Sequence, residues 1–159
     1  MHTVTPLRVL LVEDSTLLLR TLSATLQELE HFEVVATARS EESARAVMRS
    51  SPNAFDVIVI DIFLASGSGL GVLRAAKALN PEAHIVVLTN YATLEVRKSC
   101  VALGADRVFD KTRQIEDFIA YCGNLAMSSA GAEFDDGPPT VPGAEAAPRG
   151  PADGSARTR

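Results

Sequence analysis

Short apolar runs alternate with longer segments of helical periodicity along most of the chain. Val9-Leu10-Leu11-Val12, Val57-Ile58-Val59-Ile60 and Ile85-Val86-Val87-Leu88 are uninterrupted apolar stretches, the pattern of strands covered on both faces. Leu7–Val12 reads as the first strand, Phe32–Ala38 as the second and Asp56–Ile60 as the third. His84–Leu88 reads as the fourth and the short Arg107–Asp110 as the fifth.

Helical patterns fill the gaps. Leu18, Leu19, Leu22, Leu26 and Leu29 predict a helix from about Ser15 to Leu29. Ser40 is placed to cap a second helix, with Glu41 and Glu42 favourable in its first turn and Ala44, Val47 and Met48 on its inner face. That helix stops before Pro52. A Gly/Ser loop around Gly67 and Gly69 feeds a third helix, whose inner face carries Leu70, Leu73 and Ala76 and which ends at Asn80-Pro81. Leu94 to Leu103 is the fourth helix, stopped by Gly104. Ile115, Phe118, Ile119 and Cys122 form the stripe of the last.

Strands alternating with helices predict an α/β sandwich around a parallel sheet. With right-handed crossovers, the doubly wound order 2-1-3-4-5 is favoured. Its topological switch point lies beside strands one and three, at their C-terminal ends.

Those ends carry the chemistry. Glu13 and Asp14 follow the first strand, Asp61 the third, Thr89 the fourth and Lys111 the fifth. A shared rim would gather carboxylates, a hydroxyl and an ammonium. Carboxylates about 4 Å apart repel by roughly 4 kcal/mol at an effective dielectric near 20, so a cation belongs among them. Hard oxygen ligands favour Mg²⁺, which bridges to phosphate. A carboxylate can be a nucleophile towards phosphorus, with the metal and an ammonium stabilising the moving charge. Individually, each residue has a plainer role: Glu13-Asp14 or Thr89 as helix caps, Asp61 as a loop carboxylate, Lys111 as a surface lysine. Their arrival in order at strand ends outweighs those roles taken singly.

Composition narrows the classes. The chain has 159 residues, a net charge of −5 and 47% hydrophobic residues, which fits one domain and argues against nucleic acid as a direct partner. No apolar run reaches the ~20 residues of a membrane span, and residues 1–6 lack the pattern of a signal peptide. Cys100 and Cys122 have no metal-ligand spacing and read as buried, reduced thiols. A cytoplasmic location is expected. Residues 128–159 hold five of the eight prolines and five of the ten glycines, with Phe134 and Val141 as the only large apolar residues. Such a segment cannot bury enough surface to order itself, so 1–127 reads as the folded domain and 128–159 as a disordered Gly/Pro/Ala-rich tail.

The residues also resemble a known family. Leu10-Leu11-Val12-Glu13-Asp14 resembles the opening of a response-regulator receiver domain, and Val59-Ile60-Asp61-Ile62-Phe63-Leu64 its phosphoacceptor segment. Gly67 and Gly69, Val87-Leu88-Thr89, Gly104-Ala105-Asp106 and Asp110-Lys111 resemble its later signatures, the likeness covering about residues 7–126. The resemblance implies a flavodoxin-like (βα)5 fold with Asp61 as phosphoacceptor. It implies Mg²⁺ held by Glu13, Asp14, Asp61 and the backbone carbonyl of Phe63, with Thr89 sensing the phosphoryl group and Lys111 contacting it. Four positions depart from the family: Val108 where an aromatic residue is usual, Asn90 where a small one follows the threonine, Thr112 for the proline after the lysine, and Ala65 for a loop proline.

The function implied is a two-component signalling switch. A histidine kinase or phosphotransfer protein would phosphorylate Asp61, and the face formed by helix four, strand five and helix five would change its affinity for a downstream protein. Such a chain is not an enzyme beyond its own phosphoryl transfer and slow dephosphorylation. The alternative, motivated by Val108 and Asn90, is an interaction module that works without phosphorylation. An aspartyl phosphatase is disfavoured, because Phe63 stands where a second acid would act.

Overall fold

The computed structural model describes residues 5–132. Within them β1 (Leu7–Val12), β2 (Phe32–Ala38), β3 (Val57–Ile60), β4 (His84–Thr89) and β5 (Arg107–Asp110) alternate with helices. The helices are α1 (Thr16–Gln27), α2 (Glu41–Ser50), α3 (Gly69–Leu79), α4 (Leu94–Ala102) and α5 (Ile115–Ala132). The strands form one sheet of order β2-β1-β3-β4-β5, every neighbouring pair parallel. This is the expected doubly wound architecture. The expected strand boundaries shift by one residue at two places: Asp56 lies outside β3, and Thr89 is the last residue of β4. Helix α5 continues to Ala132, past the domain end expected at residue 127. The rest of the expected tail, from residue 133 onward, lies outside the described residues.

Strand periodicity divides the core in two. Leu10, Val12, Ile58, Ile60, Val87 and Val108 point to one face, against Ala44 and Met48 of α2 and Val72, Leu73 and Ala76 of α3. Val9, Leu11, Val59, Leu88 and Phe109 point to the other, against Leu19, Leu22 and Leu26 of α1 and Phe118 and Cys122 of α5. Each of the Val, Leu, Ile, Met and Phe side chains among them contributes about 1.5–3 kcal/mol by leaving water. Consecutive residues Val108 and Phe109 therefore face opposite layers, as a period of two requires. Phe109 and Phe118 meet edge-on, their ring centroids 5.9 Å apart.

Helix starts are fixed by side chains at the sheet's C-terminal rim. Ser15 Oγ accepts from Leu18 N, Ser68 Oγ from Leu70 N and Thr93 Oγ1 from Val96 N, each satisfying an otherwise free helix amide. Ser40 and Ser43 form a reciprocal capping box on α2. Geometry requires glycine at Gly104 and Gly69. Gly104, at φ 110°, ends α4 in the left-handed region. At Gly69 a Cβ would collide with the carbonyl of Asp61 and the Cα of Ile62, so α3 begins directly against the end of β3.

Candidate functional site

Parallel pairing continues past the strand ends and anchors the rim. Glu13 N donates to Ala38 O at 3.0 Å, tying Glu13 to β2. Asp61 N donates to Val12 O at 3.0 Å, and Lys111 N to Thr89 O at 2.9 Å. Each residue is thus held by its neighbouring strand before its side chain makes any contact.

The side chains then converge. Lys111 Nζ lies 2.9 Å from Asp61 Oδ2 and 2.5 Å from Glu13 Oε1. One carboxylate oxygen from each of Glu13, Asp14 and Asp61 lies within 4.8 Å of the other two. Backbone amides orient each acid: Ser15 N donates to Glu13 Oε2 at 3.0 Å, Ala65 N to Asp14 Oδ2 at 2.8 Å and Phe63 N to Asp61 Oδ1 at 3.2 Å. Glu13 and Asp61 are 3% and 6% exposed, so these are buried acids and not solvated ones. A cavity of about 290 Å³ opens above them, lined by Asp61, Phe63, Asn90, Tyr91 and Lys111 among others.

Electrostatics follow from this crowding. Burial pushes the Glu13 carboxyl above its ordinary range, and the hydrogen bond from Lys111 only partly opposes it. For Asp14 burial is again the largest influence and acts upward, but hydrogen bonds from Glu13 and the Ala65 amide outweigh it and hold the group low. Burial alone would lower the Lys111 ammonium; its bonds to Glu13 and Asp61 prevail and raise it. A charged lysine thus faces an acidic cluster in which Glu13 is pushed up and Asp14 held low. Three carboxyl groups share one ammonium, and a divalent cation on hard oxygen donors would balance the negative charge they can carry. The donor set present therefore fits Mg²⁺.

Of the residues the sequence singles out, Glu13, Asp14, Asp61 and Lys111 meet directly. Thr89 stands beside them, fully buried at the end of β4, and is not among the cavity-lining residues. Its Oγ1 accepts from Tyr91 N at 3.3 Å. The cap of α4 is Thr93, not Thr89. Residues not anticipated are Ser15 and Ala65, which act through backbone amides, and Arg39, whose Nε donates to the Asp14 carbonyl at 3.1 Å. A signal for Ala65 was available: a proline there would have no N–H to give. Above the rim, Phe63 and the exposed Tyr91 meet edge-on at 5.1 Å. Among the described residues, no helix is long and apolar enough to cross a membrane.

Comparison with known proteins agrees with this arrangement. A family model described as the response regulator receiver domain matches residues 9–122. The acid tolerance regulatory protein ActR of Rhizobium meliloti (strain 1021) is 31% identical over 111 residues, spanning 70% of this chain and 55% of the relative. The photosynthetic apparatus regulatory protein RegA of Cereibacter sphaeroides is 30% identical over 102 residues, spanning 64% of this chain and 53% of the relative. The chain thus spans about half the length of these relatives. Among solved structures, a CheY-like response regulator receiver domain protein from Methanospirillum hungatei JF-1 shares the fold with a TM-score of 0.69 at 24% identity, covering 80% of this chain and 99% of that one. A response regulator protein from Burkholderia pseudomallei, solved with a phosphorylated aspartic acid, calcium ion and citrate, has a TM-score of 0.65 at 25% identity, covering 84% and 76%. From fold, rim residues and family match together, the chain belongs to the response regulator receiver domain family of two-component signalling.

Proposed function

We propose that the chain is a phosphorylation-controlled switch whose phosphoacceptor is Asp61. The observation that carries this reading is Lys111 Nζ, held at 2.9 Å on Asp61 Oδ2 inside a cluster of acids. A carboxylate oxygen of Asp61 attacks phosphorus of a phosphorylated histidine on a kinase or phosphotransfer protein. The O–P bond forms as the N–P bond breaks, the electron pair stays on the imidazole nitrogen, and Asp61 becomes an acyl phosphate. Lys111 stabilises the negative charge on the transferring oxygens. Glu13, Asp14, Asp61 and the carbonyl of Phe63 would hold Mg²⁺, which when bound neutralises phosphoryl charge. Thr89 would donate its hydroxyl to a phosphoryl oxygen of the product. Phe63 and Tyr91 shield the acyl phosphate from water.

A second reading, an interaction module that works without phosphorylation, is favoured by Asn90, which lines the cavity and takes up space there. Incubation with acetyl phosphate and Mg²⁺, read by intact mass, separates the two. The switch predicts a gain of about 80 Da, one PO₃ group, that disappears without Mg²⁺ and in Asp61→Asn. An intact, folded protein that gains nothing is the module.

A further inference from the structure

Outside the site, the Arg97 side chain donates three hydrogen bonds. It projects from α4 and reaches three other segments. Its Nε donates to Ala92 O at 3.1 Å, its Nη1 to Val108 O at 2.8 Å and its Nη2 to Gln114 Oε1 at 2.7 Å. Gln114 Oε1 also accepts from Asp110 N at 3.0 Å. Among the described residues no carboxylate pairs with this guanidinium. A cation committed to neutral oxygens is there for geometry: the planar fork fixes several acceptors at once.

What it connects gives the geometry a direction. Tyr91 N is bonded to Thr89 Oγ1, and Thr93 N donates to Tyr91 O at 2.9 Å. The loop 90–93 is therefore tied to the Thr89 hydroxyl at one end and caps α4 at the other. Arg97 takes hold of that loop at Ala92 and of β5 at Val108, whose apolar side chain offers no polar link of its own. Through Gln114 it also reaches the turn carrying Asp110, next to Lys111. A shift of Thr89 towards a phosphoryl group would pull on Tyr91 N and so on the loop that Arg97 ties to α4, β5 and the start of α5.

We propose that Arg97 is a positioning residue that conveys the state of Asp61 to the exposed face of α4, β5 and α5. This rests on the reading of Asp61 as phosphoacceptor. A hydrogen-bonded path is by itself only spatial, so the claim is one of energetic coupling.

The test is amide NMR of the full chain with Mg²⁺ and beryllofluoride, a stable phosphoryl mimic, alongside intact mass after acetyl phosphate. Arg97→Met removes all three bonds and Gln114→Leu only one, and thermal unfolding establishes that each folds; Gln114→Leu spares the bonds to Ala92 and Val108 should Arg97→Met not fold. In wild type, beryllofluoride shifts amides at Asp14, Thr89 and Tyr91 and also at Val101, Ala102 and Val108. In both variants the first group still shifts and the mass gain persists; the second group no longer responds in Arg97→Met and responds more weakly in Gln114→Leu, where Arg97 keeps Ala92 and Val108 but loses its third acceptor. The double variant loses no more than Arg97→Met alone, because the Gln114 bond is already absent there. Distal shifts of wild-type size in a folded variant overturn the role of Arg97 alone. A wild type with neither beryllofluoride shifts nor a mass gain overturns the switch itself, and Arg97's role with it.

Discussion

Lys111 Nζ sits 2.9 Å from Asp61 Oδ2, although fifty positions separate the two residues in the chain. The contact exists because β3 and β5 both end on the same rim with β4 between them. The same ammonium also holds Glu13, so one cation restrains two acids that would otherwise repel each other. It is the geometry of a site prepared for a second, divalent charge.

Metal linkage follows. Mg²⁺ that binds the folded chain alone stabilises it by RT ln(1 + [Mg²⁺]/Kd), about 2.7 kcal/mol at a hundredfold excess over Kd. Thermal melts at increasing Mg²⁺ should show a rising midpoint in wild type. Asp14→Asn removes an anionic donor whose carboxylate oxygen lies in the cluster, and its midpoint should stay flat over the same range.

Gly69 controls the position of Asp61. Because a Cβ there meets the Asp61 carbonyl and Ile62 backbone, Gly69→Ala must push α3 away from the strand end. The expected cost is about 1–3 kcal/mol, the range for overpacking, measured by urea denaturation. Loss of phosphoryl uptake should accompany it in protein that is still folded. A variant as stable and as active as wild type would show that the close approach is dispensable.

At the N-terminal ends of the central strands, Asp56 Oδ2 accepts from Arg8 N at 2.8 Å and Arg8 Nε at 3.0 Å. Burial, the largest influence, would raise the Asp56 carboxyl, but these bonds and the Arg8 charge outweigh it and hold it low. A carboxyl lowered by folding adds stability above its unfolded pKa, about 3.9, and loses it as pH falls through the folded value. The pair is partly exposed, so Asp56→Asn should cost only about 1 kcal/mol near pH 7. Urea midpoints of variant and wild type should converge as the solution is acidified.

Cys122 is buried among α5 and sheet side chains, and burial pushes its thiol up to about 12. Nucleophilic attack needs the thiolate. A disulfide reagent at mildly alkaline pH should therefore leave Cys122 untouched in the native protein and modify it rapidly once denaturant is added.

Much of this fold can be read from the chain because a parallel sheet imposes a local pattern. Continuous apolar runs such as Val57–Ile60 announce a strand buried on both faces, and the polar residue after each run marks the rim. Glu13, Asp14, Asp61 and Lys111 could be placed together for that reason. Other features had no local pattern to announce them. The extension of α5 to Ala132 runs through residues of mixed composition, where neither a stop signal nor a stripe is evident. The bonds from Ser15 and Ala65 come from backbone amides, which any residue but proline supplies. Arg97 gave no warning, since an arginine on a helix looks solvated until the chain has folded and brought Val108 and Gln114 to it.

The central claim is that Asp61 carries the phosphoryl group, and chemical trapping tests it most directly. Borohydride reduces an aspartyl phosphate to homoserine and leaves free aspartate alone. After treatment with acetyl phosphate and Mg²⁺, then borohydride, peptide sequencing by mass spectrometry should find homoserine at position 61, with Glu13 and Asp14 unchanged. Homoserine at another aspartate, or none in protein that is folded and has bound Mg²⁺, would contradict the account.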